Sequence, residues 1–233
     1  FDGSSSYLRV SGYKGIGGTD TRTVEAWIKT SSATDQVIAG WGTDTAGTKW
    51  HVRVDSANGN VLRTENNTGY IYGTTNLADG KWHHVASVFP TGGNNITDVL
   101  HYVDGALETV GGSNAQAVNT DNATNDVEIG RNRFSSNQYF NGLLDEAAIY
   151  DTDLTAAQVL AHFMRGIAND GTANNYDGKI VGPIQASSGK YGQAVTLDGT
   201  DDYVEVLHNA SIDFDNTESF TLEAWAKTSA ASS

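Results

Sequence analysis

The sequence predicts an all-β fold, a two-sheet antiparallel jelly-roll sandwich with one short C-terminal helix per unit. Three observations carry this. Segments of five to nine residues rich in β-branched and aromatic side chains recur between Gly, Asn and Asp punctuation, with 26 glycines to form tight turns. One segment alone stands out with helical periodicity. Finally, residues 1–30 are written again at 197–228: FDGSSSYLRV is answered by LDGTDDYVEV, and VEAWIKTSS (24–32) by LEAWAKTSA (222–230). An offset of 196 residues at Phe1 makes the unit longer than an immunoglobulin-like domain and suits a large jelly roll.

Strands are expected near 6–11, 22–30, 36–41, 48–54, 60–65, 69–73, 82–89, 97–104, 126–130 and 141–150. Alternation is plainest in TVEAWIK, where Val24, Ala26 and Ile28 share one face and Glu25, Trp27 and Lys29 the other. DSANGN (55–60) carries an Asn-Gly hairpin signal, and TGGNN (91–95) and VDG (103–105) are further turns. The helix opens on a capping box, Thr155-Ala-Ala-Gln158, presents Val159, Leu160 and Phe163 as an apolar stripe, and has Gly166 to stop it. The expected organisation is a first sandwich at 1–165, a polar linker at 166–178, and the N-terminal part of a second copy at 179–233.

Composition removes several function classes. Lys and Arg number 14 against 28 Asp and Glu, and the net charge of −14 repels phosphate backbones, so nucleic acid is not an expected partner. No apolar run approaches the roughly 18 residues that cross a bilayer, so membrane insertion is not expected either. The absence of Cys excludes disulfides, thiolate metal sites and cysteine catalysis. His83 and His84 are neighbours in a strand and cannot serve one metal from the same face.

FDGSSSYLRV, TVEAWIKT, DGKWHHVASVF, LHYVDGAL, VEIGR and FNGLLDEAAIYDTDLTAAQV follow one another along the chain. In content and order this series resembles the laminin-G-like jelly-roll domains of the concanavalin A-like lectin/glucanase superfamily, here in tandem repeat. The resemblance implies two antiparallel sheets, often a calcium ion, and glycan or protein binding on secreted and cell-surface proteins. It also implies a strand ahead of FDG. Phe1 already stands at FDG, so the first copy is expected to lack that strand, and a strand at 179–184 is a candidate to pair with the open edge.

The glucanase branch hydrolyses with E-x-D-x-x-E or E-x-D-x-E, which puts two carboxylates on one strand face. VEAW, VDG, VEIG and LLDEAAIY lack that spacing, and Asp145 and Glu146 are adjacent, hence on opposite faces. No enzyme is expected. Leu143, Asp145, Ala147 and Ile149 share a face, and the apolar company points it inward. A buried carboxylate needs hydrogen bonds or a metal. The alternatives for Asp145 are backbone N–H groups or a structural calcium, and the resemblance implies the calcium. Asp2 is a weaker metal candidate that suits a turn.

Trp41 and Trp50 flank the loop GTDTAGTK, and Tyr70 and Tyr72 sit on the following hairpin, where aromatic rings could stack on sugars. Arg53, Arg131, Asn132 and Arg133 are the candidate hydrogen-bonding set, with the arginines favouring an anionic glycan. Two functions compete. One is a non-catalytic carbohydrate-binding or adhesion module of a repetitive bacterial protein, extracellular or on the cell surface, whose partner is a polysaccharide or glycoconjugate. The other is a structural repeat of a surface fibre or filament, whose partners are adjacent copies.

Overall fold

The computed structural model describes residues 1–135, 138–168, 179–181, 185–188, 193–197, 199–200, 203–206, 217 and 219–228. They divide into two compact units, Phe1–Phe163 and Met164–Ser233.

The first unit is a sandwich of two antiparallel sheets. Its strands are β1 (Leu8–Arg9), β2 (Arg22–Lys29), β3 (Gln36–Gly42), β4 (Lys49–Asp55), β5 (Val61–Glu65), β6 (Tyr70–Tyr72), β7 (Trp82–Phe89), β8 (Leu100–Val103), β9 (Ala106–Leu107), β10 (Gly112–Asn114), β11 (Glu128–Ile129) and β12 (Leu143–Tyr150). One sheet runs β1-β11-β3-β4-β5-β6-β10 and the other β12-β2-β7-β8-β9. Period-two alternation builds the core between them. Val24, Ala26 and Ile28 of β2 and Val85 and Phe89 of β7 meet Trp50, Val52 and Val54 of β4 and Leu62 of β5, all buried.

The outer face of the five-stranded sheet carries the Ala156–Phe163 part of helix α1 (Ala156–Ala168). Its capping box forms as expected: Gln158 N–H donates to Thr155 Oγ1 (3.3 Å) and Thr155 N–H to Gln158 Oε1 (2.9 Å). Val159 packs with Ala86, Val88, Tyr102 and Leu154, and Phe163 stacks on Trp27 at 5.6 Å between ring centroids. Leu160, expected in the stripe, is 41% exposed. The helix continues through Gly166, which therefore does not stop it, and the expected linker begins inside it. The rest of that linker, 169–178, lies outside the described residues.

Strand β12 departs from its expected register. It aligns Leu144 with Ile28 and Asp145 with Trp27, then Ala148 with Glu25, so three steps on β12 match two on β2. This β-bulge, with Glu146 at φ 49°, switches the faces. Leu144 and Ile149 pack on the core, and Asp145 is exposed beside the helix-covered face. The inward, buried Asp145 expected from strict alternation is thereby corrected. Strands β9 and β10 went unforeseen: Ala106–Leu107 is two residues long, and Gly112-Ser-Asn114 has no strand propensity and forms by pairing with β6.

One buried cation organises an end of the sandwich. Arg22 is fully buried, with its guanidinium carbon 4.8 Å from the Trp50 ring centre and 5.4 Å from that of Phe89. Its five N–H groups donate to the carbonyls of Ile16, Gly17, Gly18 and Asp20 and to Thr120 Oγ1, at 2.8–3.2 Å. Burial pulls its pKa down to about 10, which still leaves it charged at neutral pH.

In the second unit, β13 (Lys179–Val181) pairs antiparallel with β16 (Tyr203–Glu205), and β14 (Gln185–Ser188) with β15 (Gln193–Thr196). Tyr203–Glu205 stands 196 positions after Tyr7–Arg9, and each of the two segments includes a strand. Lys179–Val181 is a strand as expected, and its partner is Tyr203–Glu205; residues 182–184 lie outside the described residues.

Arg22→Met keeps an aliphatic stem between the two rings and removes all five donors. We expect it to lower unfolding free energy by about 3 kcal/mol or more, measured by urea denaturation, because four carbonyls lose a charged partner.

Candidate binding face

The side chains of the seven-stranded sheet that point away from the core form a polar face. On β4, Trp50, Val52 and Val54 point inward, which directs Lys49, His51, Arg53 and Asp55 outward. By the same alternation β5 contributes Arg63 and Glu65, and β6 contributes Tyr70 and Tyr72. The register aligns Arg9, Glu128, Gly40, His51, Glu65 and Tyr70 in one row across the sheet. Gly40 is a spatial requirement, since a Cβ there would meet the His51 ring at 2.2 Å.

The face holds two charge clusters. In the first, Glu65 lies 2.8 Å from Lys49 Nζ, 3.1 Å from Arg53 Nε and 3.1 Å from Arg63 Nε. Asp55 pairs with Arg63 at 3.0 Å, Asp35 with Arg53 at 2.8 Å and Asp44 with Lys49 at 3.6 Å, so three cations meet four carboxylates. Burial works against ionisation of Glu65, but Arg53 and Lys49 outweigh it and bring its pKa from 4.5 down to about 2. The Arg63 guanidinium sits 4.1 Å over Tyr70, which stacks on Tyr72 at 6.0 Å.

In the second cluster Glu128 accepts from three arginines: Arg9 Nε (2.9 Å), Arg131 Nε (2.6 Å) and Nη2 (2.9 Å), and Arg133 Nη2 (2.6 Å). Burial again opposes its charge, and the bonds from Arg131 and Arg9 overcome it, so the Glu128 pKa is lowered. The Arg131 guanidinium lies 3.6 Å over the Tyr7 ring. Between the clusters Phe134 stacks on His51 at 5.9 Å. Burial, then the charge of Lys49, brings the His51 pKa down to about 3, so that imidazole is neutral at physiological pH.

The expected ligand residues separate into two groups. Arg53, Tyr70, Tyr72, Arg131 and Arg133 do lie on this one face, Arg53 deep in the first ion cluster. Trp41 and Trp50 do not: they pack 6.3 Å apart in the core, at 2% and 0% exposure, and Trp41 Nε1 donates to Ile16 O. Alternation settles this, because Trp50 is out of phase with Lys49, His51 and Arg53. Asn132 is committed to its own loop, donating to Gln138 Oε1 and accepting from Phe134 N–H. Arg9, Lys49, Arg63, Glu65 and Glu128 were missed, although Lys49-x-His51-x-Arg53-x-Asp55 and Arg63-x-Glu65 already show the polar period of two.

Neither expected calcium residue fits that role. Asp145 is exposed on the bulge, where one oxygen accepts from the Glu146 N–H at 2.9 Å. Asp2 Oδ1 accepts from the N–H groups of Ser4, Ser5 and Ser6 and Oδ2 from Ser5 Oγ, bonds led by Ser5 that hold its pKa far below the usual carboxylate range. Asp2 is a turn former. Among the described residues no three His, Asp or Glu side chains converge where an ion would sit.

The Glu128–Glu65 pair does not suit glycoside hydrolysis, on two grounds. Glu128 and Glu65 stand three strand spacings apart, roughly 14 Å, beyond the roughly 5–9.5 Å that glycoside hydrolysis uses. Both pKa values are lowered, whereas a general acid needs its own raised.

With this geometry in view, residues 2–160 match the laminin-G family model described as concanavalin A-like lectin/glucanases superfamily. The chain belongs to that superfamily. Among solved structures, domain 4 of an extracellular GH43 arabinanase from Geobacillus stearothermophilus, in complex with arabinotriose, is similar at 22% identity and TM-score 0.52, covering 69% of this chain and 73% of that one. A heptameric SAP-like pentraxin from Limulus polyphemus is similar at 20% identity and TM-score 0.48, covering 69% and 78%. The CBM40 of a Ruminococcus gnavus sialidase bound to α2,3-sialyllactose is similar at 14% identity and TM-score 0.48, covering 69% and 97%. These likenesses concern the fold. No curated relative matches the sequence. No helix among the described residues is long and apolar enough to cross a membrane.

Glu65→Gln removes the carboxylate that Lys49, Arg53 and Arg63 share, leaving Arg53 on Asp35 and Arg63 on Asp55, and should cost about 3 kcal/mol at neutral pH in urea denaturation. Because the folded pKa is depressed, the stabilisation is fully present above the unfolded pKa near 4.5 and is lost as pH falls through about 2. The gap between wild type and variant should therefore close across that window.

Proposed function

We infer that the first unit is a non-catalytic carbohydrate-binding module of an extracellular or cell-surface protein, and that saccharides bind on the outer face of the seven-stranded sheet. The observation that carries this reading is the Arg63–Tyr70–Tyr72 group. Two stacked phenol rings and a guanidinium stand on a sheet face that no helix covers among the described residues, in contrast to the opposite face beneath α1. Flat aromatic surface flanked by fixed donors is what a sugar ring needs, apolar on its C–H face and polar around its rim. The superfamily and the arabinotriose complex of one structural neighbour agree with it.

A glycan array probed with the protein should show binding; none above background would remove the reading. Tyr70→Ala and Tyr72→Ala should each weaken the captured glycan roughly tenfold. Prolonged incubation should release no reducing ends.

A second reading, a bacterial surface fibre whose repeats complete one another, draws on a different observation. Strand β1 is at the end of its sheet, while its counterpart Tyr203–Glu205 is paired by Lys179–Val181. Under that reading the chain self-associates as concentration rises in sedimentation velocity, and an unchanging monomer overturns it.

A further inference from the structure

The three arginines around Glu128 outnumber the charge they neutralise. Arg9, Arg131 and Arg133 against Glu128 leave a local surplus of +2, on a chain whose net charge is −14. The neighbouring Asp126 is paired with Lys14 at 2.8 Å and does not cancel it. The first cluster, by contrast, has no positive surplus, since Lys49, Arg53 and Arg63 meet Glu65, Asp55, Asp35 and Asp44.

Exposure separates the clusters in the same way. The Arg9, Arg133 and Arg131 side chains are 43%, 27% and 18% exposed, whereas the Glu128 side chain is 2% exposed beneath them. The bonds to Glu128 engage one nitrogen of Arg9, two of Arg131 and one of Arg133, of the three on each guanidinium. Glu128 thus orients the guanidinium groups from below; Arg131 is also hydrogen-bonded to the Tyr139 side chain, and among the described residues it is Arg9 and Arg133 that keep N–H donors above. The Tyr7 ring, 37% exposed, backs Arg131 and offers an apolar surface beside them.

We propose that Arg9, Arg131 and Arg133, braced by Glu128 and Tyr7, form a binding subsite for the oxyanion of an acidic saccharide, a carboxylate or a sulfate. This rests on the carbohydrate-binding reading and narrows its ligand class. Planar forks match such oxyanions through paired N–H···O bonds. The overall negative charge slows the approach of acidic polymers, so discrimination comes from this local contact.

Calorimetric titration with polygalacturonate oligosaccharides and with their methyl esters isolates the carboxylate, since the backbone is shared. Dextran sulfate against dextran does the same for sulfate, and neutral arabinan reports on the face as a whole. At least one acid form should bind roughly tenfold or more tightly than its neutral counterpart, and weaken as salt rises from about 0.05 M to about 0.5 M. Arg133→Gln, which leaves Arg9 and Arg131 on Glu128, should reduce that preference about tenfold, and Arg9→Gln/Arg133→Gln should abolish it. Lys81→Gln makes the same charge change on a side chain 60% exposed elsewhere and should leave the preference intact.

Equal binding of acid and neutral forms overturns the subsite while leaving the carbohydrate reading standing. So does an acid preference that survives in a double variant melting cooperatively, which would make the arginines a structural ion network only. Failure of every saccharide, arabinan included, overturns both.

Discussion

The unit is governed by the fact that a strand has two faces, and on β4 that fact decides the core and the polar outer face together. Trp50, Val52 and Val54 enter the core, where they contribute much of the apolar contact between the sheets. Lys49, His51, Arg53 and Asp55 are thereby forced onto the other face, although they too are almost wholly buried. Removing such charges from water costs several kcal/mol per ion unless partners compensate. The register supplies the partners: β5 brings Glu65 opposite His51, between Lys49 and Arg53 along β4. Packing on one side and charge matching on the other thus specify the same strand alignment. A one-residue slip would put tryptophan on the polar face and lysine in the core.

Arg22 is the core's own exception to the same rule. It solves its desolvation without a carboxylate, by donating to backbone carbonyls of the 16–20 loop and to Thr120. Trp41 joins the same loop through Ile16 O, and Gly15 allows the close approach, since a Cβ there would fall 2.5 Å from the Trp41 ring. The aromatic residues that looked available for sugars are therefore the ones that fasten this loop to the core. Their enclosure leaves Tyr7, Tyr70, Tyr72 and Phe134 as aromatic side chains of the outer face.

Strand positions and the helix start were legible because they rest on local signals. TVEAWIK alternates, Asn-Gly punctuates and Thr155–Gln158 caps, and each appears where expected. Asp145 was misplaced because a bulge breaks the period of two, and a non-glycine residue, Glu146, adopts the positive φ with no mark in the sequence. Trp41 and Trp50 were assigned by proximity to a loop, whereas the phase of their own strands decides their face. Arg9 and Glu128 are 119 residues apart and meet only through β1–β11 pairing. Such long-range neighbours carry no local trace. The polar series on β4 and β5 is local by contrast, written as Lys49-x-His51-x-Arg53-x-Asp55 and Arg63-x-Glu65.

The two clusters also differ in what they contribute to recognition. Around Glu65 every cation is enclosed and meets at least one carboxylate, which fixes β4 against β5 and seats Arg63 on Tyr70. Around Glu128 the balance is deliberately incomplete in electrostatic terms, with one carboxylate buried beneath three more exposed guanidinium groups. A free arginine loses considerable rotamer freedom on binding, roughly 0.5–1.5 kcal/mol for each immobilised side chain. Glu128 takes most of that loss during folding. It does so at the expense of one unit of positive charge, and three arginines keep the remainder favourable to an anion. A single carboxylate beneath the cluster is thus compatible with anion binding where a carboxylate beside it would compete for the same donors.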